Sequence, residues 1–462
     1  MDSPVPDGVH GGGSTASALT VADGAEQSAP WTLLAIAGVG LVAWRFVGGS
    51  LVLSVLAVAV QVVFIAFFAR HLAFAVSALE SAPTDLAAPD IAVAELPSVT
   101  VIVACHNEGS VIDALMTSLL ALEYPVGLLQ VIVVDDGSTD GTGAQLDAWA
   151  AQSGRVGVVH RPASSGGGKS GALNTGLEQA TGEIIVVFDA DHEPHADVVW
   201  RLVRHFVDPA VAAVQGRCEV KNPGDSPLAH LVALDYLSGY LVNEYGRQSL
   251  FQLPAYGGAN CAVRAHLLRE SGGWNVDTVT EDTDLTLRLL LGGHRVRYDV
   301  TAVDAEEGVV TFQRFWRQRY RWARGHQQVW RDYRRAVLRS PYLSLAEKVE
   351  TMMFLFVFHL PVVSALGIGV IVSYTVGLAH PVDPLNTFVL WTLLFLGPML
   401  ELSGGMLVGR ADRYNAPMLI LFIPVFFVSI ALCTKAWFDG ILGRRYSWVK
   451  TERADDPVGT RQ

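Results

Sequence analysis

Residues 31–78 are almost continuously apolar. Wound into a single helix they would extend ~72 Å, at ~1.5 Å per residue. The hydrocarbon core of a bilayer is only ~30 Å thick, so the run is too long for one span and suits two. The pattern predicts spans near 31–48 and 51–74, with Gly48, Gly49 and Ser50 as the turn and Arg45 snorkelling to the interface. Two spans put both flanks on one side, and Arg70 and His71 favour the cytoplasm for the chain after the second span. Residues 1–30 are rich in Gly, Ser, Ala and Pro and lack a basic n-region, which predicts a disordered tail rather than a cleaved signal peptide.

Three further apolar runs lie at about 351–378, 387–409 and 416–438, followed by a tail at 441–462. Arg410 and Arg413 favour a cytoplasmic loop between the last two, whereas 379–386 has no Lys or Arg and suits the outside. Three spans from a cytoplasmic domain would leave the C-terminus outside. Arg444, Arg445, Lys450 and Arg453 argue for the inside. A re-entrant or interfacial segment would reconcile the two. Hydrophobic residues make up 51% of the chain and charged residues 17%, unevenly distributed, as expected of a soluble domain joined to membrane spans. A net charge of -12 argues against nucleic acid as a partner. The four cysteines form no CxxC pair, which argues against a disulfide framework or a cysteine-rich zinc site.

Residues 81–98, with Pro83, Pro89 and Pro97, read as a linker to a soluble unit over 99–309. There the pattern becomes strand (99–104), helix (109–122), strand (131–134), helix (141–152), strand (156–160) and strand (183–188). Helices are expected at 195–207, 228–250 and 281–291, and strands at 211–220 and 295–300. Alternating strands and helices imply an α/β unit with a mostly parallel sheet and helices on both faces. Ligands of such sheets bind beyond the carboxyl ends of the strands. Asn107 and Glu108, Asp135 and Asp136, and Asp189 and Asp191 all follow strand ends, so topology alone gathers them in one cleft. Residues 310–345 are basic and aromatic, the composition of amphipathic helices in a membrane interface.

Several short motifs carry chemistry. Asp135-Asp136-Gly137-Ser138 can bind a base or ribose, and equally can form an Asx-turn and helix cap. Asp189-Ala190-Asp191 places two carboxylates on one side of an extended backbone, able to hold a hard divalent ion against diphosphate oxygens, or simply to face water. The run from Ser164 to Ser170 resembles a P-loop but has Ala163 where the first glycine belongs; its Lys169 can still reach a phosphate. Glu281 and Asp282 open a helix, where acidic residues complement the dipole, and a carboxylate there can also act as general base. Gln318-x-x-Arg321-Trp322 offers donors for a diphosphate and an indole for a sugar ring, or a purely interfacial Arg/Trp face.

In this order the set Asp-Asp, Asp-x-Asp, Thr-Glu-Asp and Gln-x-x-Arg-Trp resembles the processive, membrane-integrated family 2 glycosyltransferases, which include cellulose, chitin, hyaluronan and poly-N-acetylglucosamine synthases. The resemblance covers about 99–334. It implies a cytosolic α/β GT-A (Rossmann-like) domain with an α-helical transmembrane region, in the cell (inner) membrane. The implied chemistry is an inverting transfer from a UDP-activated hexose, with Mg2+ or Mn2+, onto a growing polysaccharide exported through the same chain. On matching positions it assigns Ala104, Glu108, Asp136 and Lys169 to the nucleotide, and Asp189 and Asp191 to nucleotide and metal. Glu281 and Asp282 become the catalytic pair, with Asp282 as base. Gln318 and Arg321 fall to the diphosphate, and Trp322, Gly258 and Asn260 to the acceptor. The bilayer is an implied partner, and accessory export subunits or a homo-oligomer are compatible with it. The stretch after the last apolar run is too short for the cyclic-dinucleotide domain of bacterial cellulose synthases, so regulation by that route is not expected here.

Three other readings stand beside this one. Single-sugar transfer to a polyprenyl or other lipid acceptor uses the same donor chemistry. A noncatalytic subunit does not need both Asp189/Asp191 and Asp282. A transporter leaves the α/β unit unexplained.

Overall fold

The computed structural model describes residues 38–40, 42–45, 48–80, 92, 95–410 and 415–444. The tail at 1–30, most of the expected first span and linker, Arg413 and residues 445–462 lie outside the described residues. Of that first span, residues 38–40 and 42–45 are helical. Helix α1 (Gly49–Glu80) continues past its expected end at 74.

Strands β1 (Val99–Cys105), β2 (Leu129–Asp136), β3 (Val156–Arg161) and β4 (Ile184–Asp189) are joined through helices α2 (Ile112–Leu120), α3 (Thr142–Ala150) and α4 (Gly168–Gln179). They pair in parallel, with β1 between β2 and β4. Such strands are covered on both faces and are therefore apolar throughout. Val101, Val103, Val131 and Val133 pack with Leu115 and Met116 of α2 on one face. Ile102, Ile132, Ile185 and Val187 pack with Leu173 and Leu177 of α4 on the other. Register pairs Cys105 with Asp135 and Ala104 with Asp189, which aligns the polar strand ends.

The second half of the unit holds β5 (Glu193–Pro194), α5 (Val198–Val203), β6 (Val211–Val220), α6 (Pro227–Ser238), a π-helical stretch Gly239–Glu244, α7 (Tyr245–Phe251), β7 (Cys261–Arg264), α8 (Ala265–Glu270), α9 (Glu281–Leu291) and β8 (Arg295–Glu306). The sheet order is β3-β2-β1-β4-β7-β6-β8-β5. Pairing is parallel between β1 and β2, β1 and β4, β2 and β3, and β6 and β8, as expected, but β7 is antiparallel to both its neighbours and β5 to β8, so the sheet is mixed. With four residues, β7 is too short to leave an alternation signal. The helix expected over 228–250 is helical but passes through the π stretch.

Beyond the sheet, α10 (Phe312–Arg339) is one long helix, capped by Thr311. Helix α11 (Leu345–Phe356) starts at a Ser344/Glu347 capping box and runs through a 3-10 turn (Val357–His359) into α12 (Leu360–Thr375). Helices α13 (Pro384–Val408) and α14 (Met418–Ile441) follow. Among the described residues, Gly49–Glu80, Leu345–Thr375, Pro384–Val408 and Met418–Ile441 are long and apolar enough to cross a membrane. Leu53, Val60 and Phe64 of α1 pack with Val370 of α12 and Leu390 and Leu394 of α13.

Helices α1 and α13 touch the α/β unit, with Phe74 beside Gly246 and Gly405 beside Ser238, and α14 touches it at several points. Asn415, just before α14, meets His230 of α6. Val425 and Val428 pack by Val232, Val309 and Phe315. Leu432, Cys433 and Ala436 pack on Ala323 of α10. Asp439 accepts from Tyr320 at 2.6 Å. The helix thus follows the α/β unit and α10 along its length.

Candidate active site

The strand ends open into one cavity of about 710 Å³. Its donor end is built by β1, β2 and β4. Ala104, Glu108, Asp136, Asp189 and Asp191 all line it. Asp135, by contrast, is structural. It accepts from the Ser138 amide at 3.0 Å and pairs with His160 Nδ1 at 2.9 Å. Burial raises its carboxyl, but these bonds outweigh burial and hold it below the usual range. Asp136 is raised by burial, against the pull of its ion-pair partner Arg161.

Lys169 sits in the first turn of α4, a helix that its glycines concealed in the sequence. Its Nζ lies 2.5 Å from Asp189 and 3.7 Å from Glu281, and donates to the Gly258 carbonyl at 3.2 Å. Burial opposes its charge, but Asp189, Glu281 and Asp282 hold the ammonium above its ordinary range. Lys169 therefore ties Asp189, at the end of β4, to Glu281 at the head of α9 and to the Gly258 turn.

Asp282 accepts from the Thr283 amide at 2.6 Å. Burial and the adjacent Glu281 charge push its carboxyl up to about 6, against the opposing effects of Thr283 and Lys169. A carboxylate of that basicity suits a general base near neutral pH. Gly258, at φ +77°, faces it: a Cβ there would stand 3.1 Å from Asp282 Oδ2. Gln215 fixes this turn by accepting from the Gly257 amide at 2.5 Å and donating to the Ala259 carbonyl at 3.0 Å.

Helix α10 forms the opposite wall. Gln318, Arg321 and Trp322 are spaced three and four apart, share a face and all line the cavity. Arg319 lies over the Trp322 ring at 4.5 Å and bonds Asp235 at 2.5 Å. Gly325 seats the helix: a Cβ there would come within 2.3 Å of Thr280 Cγ2 at the start of α9. Sequence reasoning did not single out Gly325.

Asn260 is the predicted site residue that the fold takes elsewhere. Its side chain is fully buried and donates to the Arg217 and Ala302 carbonyls at 3.0 and 2.9 Å, away from the cavity lining. At φ +46° it turns the chain between Gly258 and β7, so its role is to shape the turn and not to meet an acceptor.

Residues 100–271 match the family described as Glycosyl transferase family 2. The probable glycosyltransferase YdaM of Bacillus subtilis is 30% identical over 78% of this chain and 87% of that protein. The chain belongs to glycosyltransferase family 2.

As a family 2 member it is an inverting glycosyltransferase. It is 36% identical to the beta-monoglucosyldiacylglycerol synthase of Synechocystis over 61% of this chain and 58% of that protein. It is 29% identical to the poly-beta-1,6-N-acetyl-D-glucosamine synthase of Staphylococcus aureus over 53% of this chain and 58% of that protein. The chain thus spans under two thirds of the length of these two relatives. The mannosyltransferase PcManGT from Pyrobaculum calidifontis, solved with GDP-Man and Mn2+, superposes with a TM-score of 0.60 at 22% identity, over 85% of this chain and all of that one. That likeness confirms the GT-A-like fold.

The enzyme's residues fit a hard divalent ion. Asp189 and Asp191 both line the cavity and offer only oxygen ligands, the donor set such an ion prefers. A second group, His192, Cys218 and Asp304, has ligand atoms within 4.8 Å of one another. Its His192 is paired through Nδ1 with Asp304 and through Nε2 with Glu306 at 3.2 Å. Those pairings make it a buried ion-pair network that braces β8 under the Asp189-Ala190-Asp191 turn.

Proposed function

We propose that this enzyme transfers a hexose from a UDP-sugar to a lipid-borne acceptor at the cytoplasmic face of the cell membrane. One observation carries the reading. Past Asp282 and Trp322 the cavity continues between Phe64 and Phe68 of α1, Leu360 of α12, and Phe422 and Phe426 of α14. Apolar walls suit acyl chains, whereas each buried hydroxyl of a glycan needs a hydrogen-bond partner. The named activity of the Synechocystis relative supports the same acceptor class.

In this reading Asp136 and Glu108 hold the nucleoside, and Gln318, Arg321 and Lys169 meet the diphosphate. Asp189 and Asp191 would hold Mg2+ or Mn2+, which when bound neutralises charge on the leaving group. Asp282 takes the proton of the attacking hydroxyl as that oxygen bonds the anomeric carbon and the diphosphate departs. Displacement from the opposite face inverts the centre, so an α-linked donor gives a β-glycoside.

A processive β-glycan synthase is the second reading, favoured by Gln318, Arg321 and Trp322 on one wall and by the poly-N-acetylglucosamine relative. Incubation of membranes with labelled UDP-glucose or UDP-N-acetylglucosamine separates the two. Solvent-extractable label of low mass supports the lipid acceptor. Label confined to a long, glycosidase-sensitive polymer overturns it.

We infer an interfacial placement for α14 from the arginines at 444 and 445, which three full spans would put outside. Helices α12 and α13 then leave and re-enter the cytoplasmic face, and the C-terminus stays inside with its arginines. External labelling of a cysteine placed at 380 but not at 443 is the expected result.

A further inference from the structure

The apolar arm of the cavity contains a polar cluster that the transfer chemistry does not use. Glu401 is the one charged residue in the apolar run 387–409, yet it is exposed and lines the cavity. An ionisable group within a membrane helix is costly unless it is paired or faces a polar cavity. Its Oε1 accepts from Asn243 Nδ2 at 3.2 Å. Asn243 lies in the π-helical stretch Gly239–Glu244, and its Oδ1 is buried without a hydrogen-bond partner. Both ring nitrogens of His71, which also lines the cavity, are buried without partners; a Cβ on Gly404, one turn from Glu401, would stand 2.9 Å from His71 Nε2.

The oxygens of Glu401 and Asn243 accept hydrogen bonds and the His71 ring carries an N–H donor, so their ligand must donate and can also accept, as a hydroxyl does. The carboxylate disfavours a phosphate beside it. A diacylglycerol has one hydroxyl, and that one must stand at Asp282 to react. Any hydroxyl at Glu401 is therefore additional to the reacting one. We propose that Glu401 and Asn243 form a hydroxyl-binding subsite for a sugar ring already present on the acceptor. The enzyme then extends a glycosylated acceptor, and an earlier glycosyl transfer, by this enzyme or another, must supply it. This rests on the acceptor-cavity reading but does not require the sugar to be attached to lipid.

The test compares three acceptors in nanodiscs containing the full chain, with UDP-glucose and Mg2+: dioleoylglycerol, monoglucosyl-dioleoylglycerol and cellotetraose. The expected kcat/KM for monoglucosyl-dioleoylglycerol exceeds that for dioleoylglycerol at least tenfold. In Glu401→Gln and Asn243→Ala that preference collapses toward one, while UDP affinity by calorimetry stays within twofold and reports an intact fold. Equal use of both lipids by the wild type, or a preference retained in both variants, overturns the subsite. If only cellotetraose is extended, and Glu401→Gln raises its KM tenfold, the subsite stands and the lipid reading falls.

Discussion

The two ends of the cavity are built by different means. The donor end rests on adjacent parallel strands whose polar ends are aligned by register, Ala104 beside Asp189 and Cys105 beside Asp135. The acceptor end is assembled from α1, α10, α12, α13, α14 and the π stretch, which are far apart in sequence. Asn243 meets Glu401, and Gly325 meets Thr280, across long stretches of chain. A local motif can therefore specify the strand-end carboxylates, while the shape of the far end depends on how separate helices pack.

The sharpest break of this comparison lies at the junction of the two ends. Asp282→Asn should lower kcat by about 10²–10⁴, the usual contribution of a general base, with UDP affinity retained. Loss of UDP binding together with activity would move Asp282 to the donor end. Asp191→Asn should cost about a hundredfold and weaken UDP binding in metal-containing buffer. Chelation of the wild type should do the same and be reversed by Mg2+ or Mn2+. Unchanged turnover in chelator would remove the metal from the donor end.

Gly325→Ala probes the seating of α10. The added Cβ cannot occupy the space beside Thr280 without displacing a helix, so a loss of ~1–3 kcal/mol in stability is expected, read as a lower melting temperature. Acceptor turnover should fall more than UDP affinity.

The pH profile tests Asp282 more gently. Its active form is the ionised one and its carboxyl titrates at about 6, so kcat/KM should fall about tenfold per pH unit below 6 and level off above. A plateau extending to pH 4 would mean the base is a different group. The smallest effect is expected at Phe426→Ser, which makes the apolar arm more polar: the KM of a lipid acceptor should rise only a few-fold, with the KM for UDP-sugar unmoved.

Much of the donor end was legible because buried parallel strands are short apolar runs, and the residue following each run is positioned by the strand itself. That logic located Asp136, Asp189 and Asp191, and helix periodicity put Gln318, Arg321 and Trp322 on one face. It missed α4, whose glycines read as a loop, and β7, too short to show alternation. Asn260 differs for another reason: the family resemblance of its turn assigns it to the acceptor. A resemblance carries over position and not side-chain direction, and only the neighbouring carbonyls of Arg217 and Ala302 show that its amide is committed to the backbone.

The sequence by itself determined the family, the GT-A-like unit, the apolar helices and the strand-end carboxylates that share one cavity. These follow from hydrophobic period and strand-end position, which are local properties. Tertiary structure decided the mixed sheet, the path of α14 along the catalytic unit, the union of Lys169 with Asp189 and Glu281, and the meeting of Glu401 with Asn243. Those depend on contacts between distant segments, where packing and charge pairing choose among arrangements that local pattern leaves equivalent.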